Sequence, residues 1–201
     1  MKLKHGKFTL AVGFPEICAA ALMVGAGRGT TLAVAALSAL AHEGGHLLAA
    51  RLCGAAVRSA VFSPVGGEIR TAGRMLSYHK DIIIALAGPA VSAAAAGVFF
   101  LFYRLRPGDV PLQAAATNAV FAAVNLLPVR PLDGWRILRG ILYRREVPDA
   151  EKRLRGAGVF TVILIVLLFA AVSAERGFHP SLLIFAAYTA FHVCGDPRSP
   201  A

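Results

Sequence analysis

Five consecutive residues, His42-Glu43-Gly44-Gly45-His46, combine two imidazoles four positions apart with a carboxylate beside the first. On a helix, positions i and i+4 share a face, so both imidazoles can offer a nitrogen to one Zn²⁺-type ion. Glu43 then stands where a carboxylate can take a proton from a water on that ion. The chemistry implied is metal-assisted hydrolysis. His-x-x-x-His also arises by chance, but here it lies inside an apolar run, where ionisable side chains are costly and three together have no cheap structural explanation.

Two histidines leave a catalytic zinc site one protein ligand short. The clear candidate is Asp133, in Asn125-Leu126-Leu127-Pro128-Val129-Arg130-Pro131-Leu132-Asp133-Gly134. Pro128 and Pro131 force the segment out of helical geometry, and Gly134 permits a tight turn, so a bend can return Asp133 towards the histidines. Irregular backbone at membrane depth is tolerated where it lines a cavity. Asp133 can also cap a helix beginning near Gly134, and Asn125 can serve either the chemistry or carbonyls freed at the bend.

The elements that must position these residues are apolar. Hydrophobic residues make up 57% of the 201 residues and mean hydropathy is +0.64, which points to a polytopic membrane protein. The least polar stretches, at 8–26, 30–52, 82–103, 111–127, 157–174 and 180–194, are each near the length of a spanning helix, so six spans are expected. Between the second and third, Val57 to Phe62 and Glu68 to Arg70 flank Ser63-Pro64 and Gly66-Gly67, a pattern for two short strands. Phe8 to Phe14 could supply a third. The expected fold class is therefore membrane all-α, six transmembrane helices with a small β-sheet at the membrane surface, in a single domain over 1–201.

The formal charge of +10 raises the question of nucleic acid, but the basic residues sit in alternate loops and no aromatic-interleaved basic segment accompanies them. With the amino end cytoplasmic, 17 of the 21 Lys and Arg residues fall inside. Only Arg28, Arg104, Arg106 and Arg176 fall outside, so both termini are expected in the cytoplasm and no nucleic-acid partner is expected. Pro15 and Glu16 interrupt the first apolar stretch, against a cleavable leader. Cys18, Cys53 and Cys194 are isolated and odd in number, which reads as small apolar residues rather than a disulfide framework.

The pair of motifs, His42 to His46 in the second span and Asn125 to Gly134 at the end of the fourth, resembles the site-2 proteases of family M50, and within them the stage IV sporulation protein FB group. Gly88-Pro89 and the Gly66-Gly67 turn also fall where that family has them. The resemblance implies that His42, His46 and Asp133 bind Zn²⁺, that Glu43 is the general base and that Asn125 positions substrate or oxyanion. It further implies cleavage of membrane-associated or single-span proteins near the cytoplasmic face of a bacterial cell membrane. A sporulation sigma-factor precursor or an anti-sigma factor would be a substrate, and membrane-protein regulators would be further partners besides the lipid bilayer. Trp135 departs from the family's second glycine, and neither a PDZ nor a cystathionine-β-synthase-type domain is expected. The alternatives are a membrane metal transporter, which would favour a second acidic or His-rich cluster and repeated halves, and an inactive scaffold, which would favour a damaged motif.

Overall fold

The computed structural model describes residues 2–5, 8–11, 27–55, 57–63, 66–71, 77–176 and 180–194. The chain divides into two compact units, Met1–Asn125 and Leu126–Ala201.

In the first unit, β1 (Lys2–His5), β2 (Phe8–Ala11), β3 (Val57–Ser63) and β4 (Gly66–Thr71) pair in that order. The outer pairs are antiparallel. The central pair is parallel, with Phe8 opposite Ala60 and Leu10 opposite Phe62. Parallel neighbours need a long crossover, which the chain between β2 and β3 supplies. Of the apolar stretch at 8–26, Phe8–Ala11 is strand and residues 12–26 lie outside the described residues.

Three helices follow in this unit: α1 (Gly29–Leu52), α2 (Tyr78–Leu105) and α3 (Asp109–Asn125), each packed against the other two. α1 stops where Gly54 takes a φ of 70°, with Ala55 N–H bonded to the Ala50 carbonyl at 2.9 Å and Gly54 N–H to the Arg51 carbonyl at 3.0 Å. This Schellman arrangement satisfies the last carbonyls and needs the left-handed backbone that glycine adopts freely. α2 opens on Ser77, whose hydroxyl accepts from the Lys80 N–H, and it carries Pro89 in its interior. Ala49, Ala50 and Ile84 form the buried contact between α1 and α2, with the free thiol Cys53 beside it.

The second unit holds α4 (Asp133–Arg144), α5 (Ala150–Arg176) and α6 (Pro180–Cys194), with α5 packed against both others. α4 is amphipathic: Ile137, Leu138 and Ile141 alternate at helical spacing with Arg136, Arg139 and Arg144. The other helices are apolar nearly all round. Leu154, Val129 and Ala186 are buried here, and the buried Thr189 hydroxyl donates back to the Phe185 carbonyl at 3.0 Å.

By length and composition, α1, α2 and α5 can cross a membrane, which is three described helices where six spans were expected. α3 has 17 residues and α6 has 15, short of the roughly 20 a span needs. The apolar run at 111–127 continues past the helix, which ends at Asn125 because the Pro128 bend follows. Large apolar side chains face outwards along the long helices, as with Leu101 and Leu167, each 60% exposed. Contiguous apolar surface of this kind suits lipid, and the chain is an integral membrane protein.

Candidate metal centre

α1 turns His42 and His46 towards α2, and both are buried. Their rings lie 4.9 Å apart between centroids, nearly perpendicular at 81°, and their Nε2 atoms approach to 3.2 Å. The hydrogen bond on the far side of each ring decides what those atoms present. His46 Nδ1 is 2.7 Å from the Ile84 carbonyl, which can only accept, so Nδ1 carries the proton and Nε2 keeps its lone pair. His42 Nδ1 is 3.0 Å from the Oγ of the fully buried Ser92. When that nitrogen donates to Ser92, the His42 Nε2 lone pair meets that of His46.

Two lone pairs so placed repel one another unless a cation joins them. Nitrogens about 2.0–2.1 Å from a tetrahedral zinc stand about 3.3 Å apart, close to the observed separation. Outer hydrogen bonds from the second ring nitrogen are the usual means of orienting metal-binding imidazoles. The donor pair therefore fits a divalent ion of the zinc type.

The space beside both Nε2 atoms is kept open by a glycine. A Cβ built on Gly88 would run into His46 Nε2 and lie 2.8 Å from His42 Nε2, so any side chain there would fill the place where the nitrogens converge. Gly45 plays the complementary part on α1. Its Cβ would lie 2.8 Å from the Ala87 carbonyl oxygen and 2.9 Å from Val91 Cγ2, so the glycine lets the helices meet closely enough for the histidines to reach α2. Gly44, by contrast, faces outwards with nothing within 4 Å among the described residues, and the structure gives no packing reason for it.

In the sequence Gly88-Pro89 stands out only by its resemblance to the family pattern, and Ser92 does not stand out at all. Gly88 and Ser92 are four apart, on one face of α2, and that spacing of small residues is the signal that was available. A third helix closes the other side. The Phe121 ring is centred 6.3 Å from that of His42, and the buried Asn118 amide donates to Ser38 Oγ at 2.8 Å, one turn before His42 on α1.

The other expected residues take these positions. Glu43 is half-buried, next to His42 on α1. Asn125 ends α3, and its amide donates to the Phe121 carbonyl at 2.9 Å, satisfying an acceptor of its own helix end. Asp133, in the second unit, is the first residue of α4 and is buried, with a carboxylate oxygen 4.0 Å from the Arg136 guanidinium. The N-cap position falls to Leu132, whose side chain has no capping group, and Asp133 follows as the first helical residue. Gly134 is required for close approach rather than for a positive φ: a Cβ there would collide with the Leu126 carbonyl and lie 2.5 Å from that of Leu127. His79 lies on the exposed start of α2, and the side chains of His5, His179 and His192 are outside the described set.

Peptidase family M50 matches residues 30–112, a stretch that runs from the start of α1 into α3 and includes the histidine pair. A protein named putative zinc metalloprotease Rip3, from Mycobacterium tuberculosis, is 32% identical over 154 residues, covering 73% of this chain and 38% of that protein. These comparisons support membership of family M50. Zinc metalloprotease MJ0392 from Methanocaldococcus jannaschii is 28% identical over 142 residues, 68% of this chain and 41% of the relative. The chain thus spans about two fifths of the length of these curated relatives. The solved site-2 protease from Methanocaldococcus jannaschii superposes with a TM-score of 0.72 at 20% identity, covering 100% of this chain and 96% of that one, so the two share a fold.

Proposed function

We propose that this family M50 chain is an intramembrane zinc endopeptidase in which His42, His46 and Asp133 hold the ion, Glu43 is the general base and Asn125 positions the substrate carbonyl. The observation that carries the reading is the pair of buried Nε2 atoms 3.2 Å apart, with the His46 proton held on the far nitrogen by the Ile84 carbonyl. The names of the relatives, each a zinc metalloprotease or putative zinc metalloprotease, support the same chemistry.

A bound zinc ion would supply Lewis acidity to the scissile carbonyl and acidify the attacking water. Glu43 takes that water's proton and returns it to the leaving amine nitrogen, giving one-step hydrolysis without a covalent enzyme intermediate. The Ile84 carbonyl holds His46 in the tautomer whose Nε2 offers a lone pair, and the Ser92 hydroxyl orients the His42 ring and can accept from its Nδ1. A helical substrate hides its amides, so it must unwind, and the edge of the small sheet can accept the extended segment as an added strand. In this reading α1, α2 and α5 span the bilayer, both termini are cytoplasmic, and the sheet lies at the membrane surface. The substrate is a membrane-associated or single-span protein cut near the cytoplasmic face, of the sigma-factor-precursor or anti-sigma type.

The deciding experiment measures zinc per chain in detergent-purified protein, for the unaltered sequence, His46→Ala and Asp133→Ala at matched folding. About one zinc, lost in both variants, is expected, with Glu43→Gln keeping the metal and losing proteolysis. Zinc retained by Asp133→Ala would overturn the three-ligand set. Full proteolysis by Glu43→Gln would overturn the general-base assignment.

A further inference from the structure

The second unit contains a cleft of about 240 Å³ that the proposed peptidase chemistry does not use. Its cations are Arg130, Lys152 and Arg155, and its apolar walls include Val129, Leu154 and Val193. One carboxylate, Glu151, also lines it, but Glu151 accepts a hydrogen bond from the Tyr143 hydroxyl at 2.8 Å, so its charge is already partly satisfied. The balance of the cleft is positive.

The partners of the three cations leave that charge available. Arg155 makes no ion pair or hydrogen bond among the described residues. Lys152 reaches Asp149 at 3.2 Å, a pair whose side chains are 82% and 66% exposed and therefore weakly held. Arg130 lies over the Trp135 ring, 4.2 Å from its centroid, which orients the guanidinium without neutralising it. Arg139 flanks the same ring at 5.3 Å. Trp135, the departure from the family pattern noted in the sequence, is thus the platform on which one wall of the cleft is built.

The depth of the cleft in a bilayer follows from α5. Glu151, Lys152 and Arg155 occupy its first turns, and the helix then runs apolar to its far end, so these turns lie at the water–lipid boundary. α4, amphipathic and basic with Trp135 near its start, has the composition of a helix lying in that boundary. Basic pockets beside spanning helices at this depth hold anionic headgroups.

We propose that this cleft is a phosphate-group site, with Arg130, Lys152 and Arg155 holding the anion and the half-buried Val193 and Trp135 packing against the glycerol and first methylenes of an anionic phospholipid, over a floor of the buried Val129 and Leu154. The site is independent of the peptidase reading, because none of its residues belongs to the proposed catalytic set.

The test is native mass spectrometry of the full chain in detergent with phosphatidylglycerol or phosphatidylcholine at equal concentration, alone and with excess inorganic phosphate. The double variant Arg130→Gln/Arg155→Gln is compared with Arg145→Gln/Arg153→Gln, which removes two cations outside the cleft, and with Arg130→Lys/Arg155→Lys, which keeps the charge. The expected result is preferential retention of phosphatidylglycerol, reduced on the order of tenfold by the cleft Gln pair, kept by the outer pair and largely restored by the Lys pair. Preference that survives excess phosphate assigns the site to a lipid headgroup. Displacement by phosphate, with the same variant pattern, supports the site and assigns it to soluble phosphate. Equal retention of the two lipids without phosphate binding, or equal losses from the inner and outer pairs, would overturn the proposal.

Discussion

α1 and α4 each carry residues proposed as metal ligands, and they hold them by different means. In α1 the histidines are placed by helical periodicity and then locked by side-chain bonds to α2, through Ser92 at 3.0 Å and the Ile84 carbonyl at 2.7 Å. In α4, Asp133 owes its place to the backbone, as the first residue after a Pro-containing bend, with Gly134 drawn against the Leu126 and Leu127 carbonyls. The first arrangement depends on which atoms surround a side chain, the second on how tightly the chain can turn. Losses in α1 should therefore appear in metal affinity before stability, and losses in α4 in stability first.

Gly88→Ala tests the first half of that contrast most severely. Its methyl group would fill the space where the imidazoles converge, and zinc affinity should fall by more than the roughly 10–100-fold typical of losing an outer-shell bond, with helix content by circular dichroism unchanged. A variant that bound zinc normally would show that the open space beside the histidines is incidental.

Ser92→Ala should weaken zinc binding by about 10–100-fold in chelator competition, because His42 loses the hydroxyl that orients its ring. Ser92→Thr, which restores the hydroxyl, should recover much of the loss. Unchanged affinity in the alanine variant would show that Ser92 does not orient His42.

Gly134→Ala should destabilise the protein by about 1–3 kcal/mol, the usual effect of forcing extra volume against fixed atoms, read from denaturant unfolding in detergent. Normal stability with lost zinc would reverse the contrast between the helices. The smallest effect should come from Gly44→Ala, which adds a methyl group to open space on an exposed helix face and should stabilise by about 1 kcal/mol while leaving metal content unchanged.

Much of the helical framework was legible because long apolar runs and terminal signals are local. The stretches at 30–52 and 82–103 correspond to α1 and α2 within a few residues, and Ser77 and Gly54 mark ends by capping chemistry confined to one turn. The run at 111–127 lies two positions later along the chain than its helix, since hydropathy does not register where Pro128 ends helical geometry. α4 lay within what read mainly as a basic loop, because 12 residues of mixed charge and apolar character give little signal to a search for spans.

That His42 and His46 share a helix face in apolar surroundings, with Glu43 beside them, is legible in the chain alone, because a period of 3.6 residues is a property of the local backbone. Which ring nitrogens face one another, and why there is room between them, depends on contacts between distant parts of the chain. Ser92 and Ile84 stand 50 and 38 positions away from the histidines they bind, and the emptiness at Gly88 has meaning only once α2 lies against α1. Contacts at that separation are set by how two apolar helices pack, and no local pattern in the chain encodes them.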